Sequence, residues 1–184
     1  LFGSMFPDRT ARAEEQFGGV CLSIIRCGGE LFLPESFFHT LPGHIQYRIG
    51  PFCELVETLP PVDMVLSVGG DGTFLRTAAT VGNTGIPVLG INTGRLGFLA
   101  AINYSDVDET LQEVMRNDYK VEERSLLKLT TDETFPPDDF NAHALNEVAI
   151  SKQDTASMLS IHAYINNDYL TSYQADGLVV ATPS

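Results

Sequence analysis

The feature that most constrains this chain is the run Val62-Asp63-Met64-Val65-Leu66-Ser67-Val68, set between Pro60-Pro61 and Gly69-Gly70. A short apolar run bounded by turn residues on both sides is the pattern of a parallel strand covered on both faces. Residues 73 to 81 then follow helical spacing, with Phe74, Leu75, Ala78 and Ala79 as an apolar stripe and Gly82 just past the end. Ile86 to Ile91 is the next apolar run. Strand, helix and strand within about thirty residues predict a βαβ unit, so the first hundred residues read as an α/β domain.

The pattern changes after about residue 100. Ser105-Asp106-Val107-Asp108 reads as a serine-capped helix start, with Val107, Leu111, Val114 and Met115 on one side. Beyond it, Val121 to Thr130, Leu145 to Ser151, Leu159 to Ile165 and Tyr169 to Gln174 are strand-like, interrupted by Pro136-Pro137. Asn166-Asn167-Asp168 reads as a hairpin turn. The expected organisation is an α/β domain over residues 1–104, then a connecting helix and a mostly-β domain over 105–184. The opening Leu1-Phe2-Gly3-Ser4 reads as the end of a strand and the closing Leu178 to Ser184 as the middle of a strand and loop, so both termini look cut. The second domain is therefore expected to be truncated, and any site the chain contains to be incomplete.

Composition narrows the partners. With 43% hydrophobic residues the chain can bury enough apolar surface to fold. Its formal net charge of −13 opposes a nucleic-acid partner, because a polyanion is held by clustered Lys and Arg. Residues 101–150 carry 12 acidic and 4 basic groups, whereas residues 1–100 carry 9 and 6, so the acidity lies away from the glycine loop. No stretch has the roughly 18 consecutive apolar residues of a membrane helix, and no secretory leader is legible. The expectation is a cytoplasmic protein with no membrane partner. Cys21, Cys27 and Cys53 lack C-x-x-C spacing and read as reduced thiols. His39, His44, His143 and His162 are scattered, so no protein metal site is predicted.

Four segments carry chemistry. Gly69-Gly70-Asp71-Gly72-Thr73 lies between the buried strand and the helix, where α/β proteins place ligands. Its glycines allow positive φ and let a phosphate or ribose approach the backbone, the helix start offers amides to an anion, and Thr73 is the expected N-cap. The telling residue is Asp71, since a carboxylate inside a pure anion cradle would repel the anion. It implies that the loop also handles a hydroxyl or a metal-bound phosphate; a carboxylate can accept the hydroxyl proton or align the hydroxyl oxygen for phosphoryl transfer. The competing reading is a tight turn in which Asp71 bonds backbone amides. The loop is neither a P-loop nor a G-x-G-x-x-G fingerprint. Asn92-Thr93-Gly94-Arg95-Leu96-Gly97-Phe98-Leu99 leaves the next strand and should emerge beside it, with Arg95 able to contact phosphate and Phe98 able to stack or pack. Asn146-Glu147 suits an adenine edge and a ribose diol, or a pair of loop caps. Asp176-Gly177-Leu178 precedes Thr182-Pro183-Ser184 and alone signals only a turn.

In this order, across about residues 64 to 184, the four segments resemble the NAD kinase family. The glycine-aspartate loop alone is shared with diacylglycerol and sphingosine kinases, and in a close variant with phosphofructokinases; the other three segments point to NAD kinase. The resemblance implies a Rossmann-like N-terminal domain followed by a mostly-β C-terminal domain. It also implies transfer of the γ-phosphoryl of ATP, or of polyphosphate, to the adenosine-ribose 2′-hydroxyl of NAD, with a divalent cation such as magnesium. Asp71 would be the proton acceptor, with Gly72 beside it. Asn146 and Glu147 would bind base and ribose, Asp176 would be a further NAD contact, and Phe98 and Ser184 would line the pocket. Arg76 would contact nucleotide or phosphate. The family's Thr-Pro-Ser continues into Gly-x-Thr-Ala-Tyr, whereas this sequence stops at Ser184. Partners implied are small-molecule nucleotides and further copies of the chain, as a dimer or tetramer. Two alternatives stay open: a lipid kinase sharing the loop, and a non-catalytic dinucleotide-binding module.

Overall fold

A computed structural model of the chain describes residues 11–94, 99–100, 102–131, 142–153 and 157–183. The opening strand end, Pro136-Pro137, Arg95, Phe98 and Ser184 therefore lie outside the described residues. Two compact units divide the chain, Leu1–Glu123 and Arg124–Ser184.

The first unit opens with helix α1 (Ala11–Arg26). Phe17, Val20 and Cys21 recur at helical spacing and are fully buried, each such apolar side chain contributing roughly 1.5–3 kcal/mol over exposure. The same burial pushes the Cys21 thiol up to about 12, and the three cysteines are free thiols. Strand β1 (Leu31–Pro34), helices α2 (Glu35–Phe38) and α3 (Gly43–Ile49) and strand β2 (Cys53–Val56) follow. β1 and β2 pair in parallel, with Leu31 opposite Cys53.

The βαβ unit is next. Strand β3 (Val65–Gly69) is buried along its whole length, as its apolar run requires. Helix α4 (Asp71–Val81) returns the chain to strand β4 (Val88–Asn92), which pairs in parallel with β3 from Val65↔Val88 to Gly69↔Asn92. Strand β5 (Ile102–Asn103) extends the sheet in the order β3-β4-β5, all parallel.

Several local expectations are corrected here. Helix α4 begins at Asp71 with Gly70 as its N-cap, so Thr73 is the third helical residue and not the cap. Its buried side is Thr73, Thr77, Ala78 and Val81, displaced from the predicted Phe74-Leu75-Ala78-Ala79 stripe. Threonine serves on this face because its hydroxyl is satisfied locally: Thr77 Oγ1 lies 2.9 Å from the Thr73 carbonyl and 3.1 Å from Ser67 Oγ on β3. Likewise, helix α5 (Val107–Met115) is preceded by a 3₁₀ turn over Tyr104–Asp106, its cap position is Asp106, and Ser105 Oγ instead meets the Asp106 carboxylate at 2.8 Å. Val107 and Leu111 are buried as expected, while Met115 is 50% exposed. Placing the boundary at residue 104 sets this helix with the second domain; its contacts set it with the first unit, beside α1, where Arg26 and Asp108 pair at 2.9 Å.

The second unit is built from antiparallel ladders. Strands β6 (Leu127–Lys128) and β7 (His143–Ala144) pair over two residues only, so the strand expected over Val121 to Thr130 is mostly irregular and exposed. Strand β8 (Glu147–Ser151) is followed by β9 (Leu159–Ile165) and β10 (Asp168–Ala175), which form a hairpin. Asn166 and Asn167 turn it with φ of 53° and 70°, the left-handed pair of a type I′ turn that asparagine tolerates. Strand β11 (Gly177–Ala181) then pairs with β8, Gly177 opposite Ser151 and Ala181 opposite Glu147. One residue, Asp176, thus carries the chain from the β9-β10 sheet into the β8-β11 sheet.

Candidate functional site

The register of the parallel sheet sets the site. Gly69 ends β3 opposite Asn92, which ends β4, so the glycine-aspartate loop and the Asn92-Thr93-Gly94 turn leave the same carboxyl edge side by side. In open α/β sheets, ligands bind outside that edge. Asn92 is 4% exposed, and its Oδ1 accepts the Gly94 amide at 2.8 Å, which folds the second loop back over the strand end.

Within the first loop the three glycines differ. Gly69 alone has positive φ, 156°, and a β-carbon there would sit 2.8 Å from the Thr73 Cβ, so the strand-to-helix turn needs glycine. Gly70 is extended at φ −98°. At Gly70 and Gly72 no atom lies within 4 Å of where a β-carbon would project, which leaves backbone open to an approaching group. Gly69→Ala is expected to destabilise the protein by roughly 1–3 kcal/mol and to displace the start of α4. A thermal melt within a degree of the parent would show that the turn tolerates a side chain.

Asp71 is the first residue of α4, where a carboxylate is favoured by the helix amides. It is half-buried, and its Oδ1 accepts the amides of Leu99 at 3.0 Å and Ala100 at 3.3 Å. The amide-bonding reading of Asp71 thus holds at its Oδ1. That oxygen braces the glycine loop to the segment beyond β4, across 28 residues of sequence. Arg76 stands exposed one turn further along the helix.

The other candidates lie in the second unit. Asn146 and Glu147 are exposed at the start of β8, just after buried Leu145. Thr182 joins them: its amide donates to the Asn146 carbonyl at 2.8 Å and its hydroxyl to the Leu145 carbonyl at 2.8 Å. The ladder therefore gathers Asn146, Glu147 and the Thr182-Pro183 segment at one end. Asp176 is at the other end, five residues along β11, or about 17 Å at the rise of an antiparallel strand. Lys152, which sequence reasoning missed, pairs with Asp176 there at 2.6 Å. The available signal was that Lys152 is the lone basic residue between 151 and 184.

A parallel βαβ unit with two loops leaving its carboxyl edge, followed by antiparallel ladders, defines a Rossmann-like α/β protein with a β-rich second part. Within that class the chain belongs to the NAD kinase family. Residues 52–119 match the model described as the ATP-NAD kinase N-terminal domain and residues 145–184 the one described as the ATP-NAD kinase C-terminal domain. It is 47% identical over 157 residues to an NAD kinase of Bacteroides fragilis, covering 85% of this chain and 53% of that protein. It is 43% identical over 164 residues to an NAD kinase of Porphyromonas gingivalis, covering 89% of this chain and 55% of the relative. The chain thus spans about half the length of the curated relatives it matches. Its fold is similar to that of yeast NADH kinase complexed with NADH, with a TM-score of 0.75 at 21% identity, covering 98% of this chain and 56% of that one. An NAD kinase from Archaeoglobus fulgidus in complex with ATP gives a TM-score of 0.57 at 22% identity, covering 98% and 59%.

Proposed function

We propose that this chain is part of an enzyme that transfers the γ-phosphoryl of ATP, or of polyphosphate, to the adenosine-ribose 2′-hydroxyl of NAD, yielding NADP. The observation that carries this reading is Asp71 at the head of α4, at the sheet edge where two loops converge, in a chain of the NAD kinase family. A carboxylate so placed can accept the hydroxyl proton as the oxygen attacks phosphorus, and open backbone at Gly70 and Gly72 lets the ribose and phosphates approach. We further assign Asn146 and Glu147 to base and ribose hydroxyls, Asp176 to a further NAD contact, and Phe98, Ser184 and Arg76 to nucleotide or phosphate contacts.

Among the described residues no group of three His, Cys, Asp or Glu side chains is arranged to hold a metal ion. We assign the divalent cation, magnesium, to the donor phosphates, whose charge it would neutralise. Among the described residues no helix is long and apolar enough to cross a membrane. We assign the protein to the cytoplasm, as a homo-oligomer acting on small-molecule nucleotides.

The test is a coupled assay for NADP on the full-length protein, with ATP and with polyphosphate as donor, and with NAD and diacylglycerol as competing acceptors. NADP formation with no phosphorylated lipid is expected. Lipid phosphorylation, or tight NAD binding without NADP under either donor, would overturn the assignment in favour of a lipid kinase or a binding module.

A further inference from the structure

We propose that Lys152 is a positioning residue that sets the direction of the Asp176 carboxylate toward the bound dinucleotide; this rests on the NAD contact assigned to Asp176 above. Asp176 is the single residue between β10 and β11, at the point where the chain leaves one sheet for another. Such a crossing leaves its backbone no regular pairing, yet it is held on both sides. The Lys152 amide donates to the Asp176 carbonyl at 3.0 Å, continuing the β8-β11 ladder by one bond. Gly177, next in the chain, lies against Ile150 so closely that a β-carbon there would come 3.4 Å from the Ile150 carbonyl carbon and nearer still to its oxygen. Lys152 Nζ then reaches the Asp176 Oδ1 at 2.6 Å. One residue thus grips both the main chain and the side chain of Asp176.

Stability does not explain this arrangement. The Asp176 side chain is 77% exposed, and ion pairs of that kind add little to folding. The Lys152 side chain is only 23% exposed, so the ammonium arrives on a covered stem while the carboxylate faces water. This asymmetry presents a carboxylate of restricted direction to solvent, with charge already balanced against the phosphates of a dinucleotide. Residues 151–184 contain no second Lys or Arg to substitute for it.

The experiment is steady-state kinetics and NAD titration calorimetry on the full-length protein with Lys152→Met, Lys152→Arg, Asp176→Ala and the Lys152→Met/Asp176→Ala double variant. Lys152→Met should raise KM for NAD about tenfold with kcat and KM for ATP within about twofold, and Lys152→Arg should recover most of the loss. The double variant should bind NAD no more weakly than Asp176→Ala alone, because the two residues act as one unit. Lys152→Gln is the second variant if the methionine form folds poorly. If Asp176→Ala weakens NAD binding while Lys152→Met and Lys152→Gln leave it unchanged, the positioning role is wrong and the NAD contact stands. If Asp176→Ala itself leaves NAD binding unchanged, the assigned contact fails and the positioning role with it.

Discussion

Asp71→Asn is expected to lower turnover by about 10²- to 10⁴-fold while NAD affinity stays within a few fold of the parent, because the amide accepts no proton from the 2′-hydroxyl. The structure makes this substitution unusually discriminating. Asparagine keeps an oxygen where the carboxylate Oδ1 now accepts the Leu99 and Ala100 amides, so the brace between the loops survives. Asp71→Ala removes brace and acceptor together. The alanine variant should therefore lose affinity for NAD as well as turnover, and its loops should become more sensitive to proteolysis. Rates of NADP formation and calorimetric titration with NAD separate the two effects. Near-parental turnover in the asparagine variant would remove Asp71 as the proton acceptor, leaving it the brace alone.

The largest loss of stability should come from Phe17→Ala, roughly 3–5 kcal/mol by the usual cost of emptying a buried aromatic position. Phe17 is fully buried on α1, and its ring meets that of Phe37 edge-on at 5.0 Å with an interplanar angle of 78°. It lies in the cluster that joins α1 to β1, α3 and the central sheet through Leu33, Ile45 and Val68, so the void cannot be filled from solvent. Phe52→Ala is the control: that ring is 59% exposed, and its removal should change stability by less than about 0.5 kcal/mol. Urea unfolding of both variants checks the pair. A Phe17→Ala midpoint close to that of Phe52→Ala would mean that the cluster is not what holds the first unit together.

The parts legible in the sequence were those written in local pattern. β3 and β4 are apolar runs with turn residues beyond them, and the β9-β10 hairpin is announced by Asn166-Asn167, so each could be placed without knowing its neighbours. The α/β class followed from β3, α4 and β4, and the family resemblance from the motif segments at Asp71, Asn92, Asn146 and Asp176. What escaped was set by contacts distant in sequence or by residues with no side-chain signal. Gly70 caps α4 through its backbone, and the nearby Thr73 looked the better cap. Ser105 has the right spacing for a capping box, yet a 3₁₀ turn consumes it before the helix begins. Val121 to Thr130 carries strand-forming residues but forms a ladder at Leu127 and Lys128, extended by the Leu129 amide bond to the Ala142 carbonyl, because strand formation needs an edge to pair with. Asp71 could be read as a chemical group, but its hold on Leu99 and Ala100 depends on where β4 comes to rest. Lys152 is an ordinary residue after a strand until β11 brings Asp176 to it, 24 positions away in sequence.

The brace at Asp71 also bears on the order in which the protein is assembled. Its amide partners lie 28 and 29 residues downstream, beyond β4 and just ahead of β5. A nascent β3-α4 hairpin can form from local contacts, but the carboxylate has no amides to hold until the chain has closed a loop of that size. Fixing the direction of the Asp71 carboxylate is consequently a non-local step of folding, which no β3-α4 segment completes by itself. A half-assembled sheet would display the glycine loop without the neighbour that holds its aspartate.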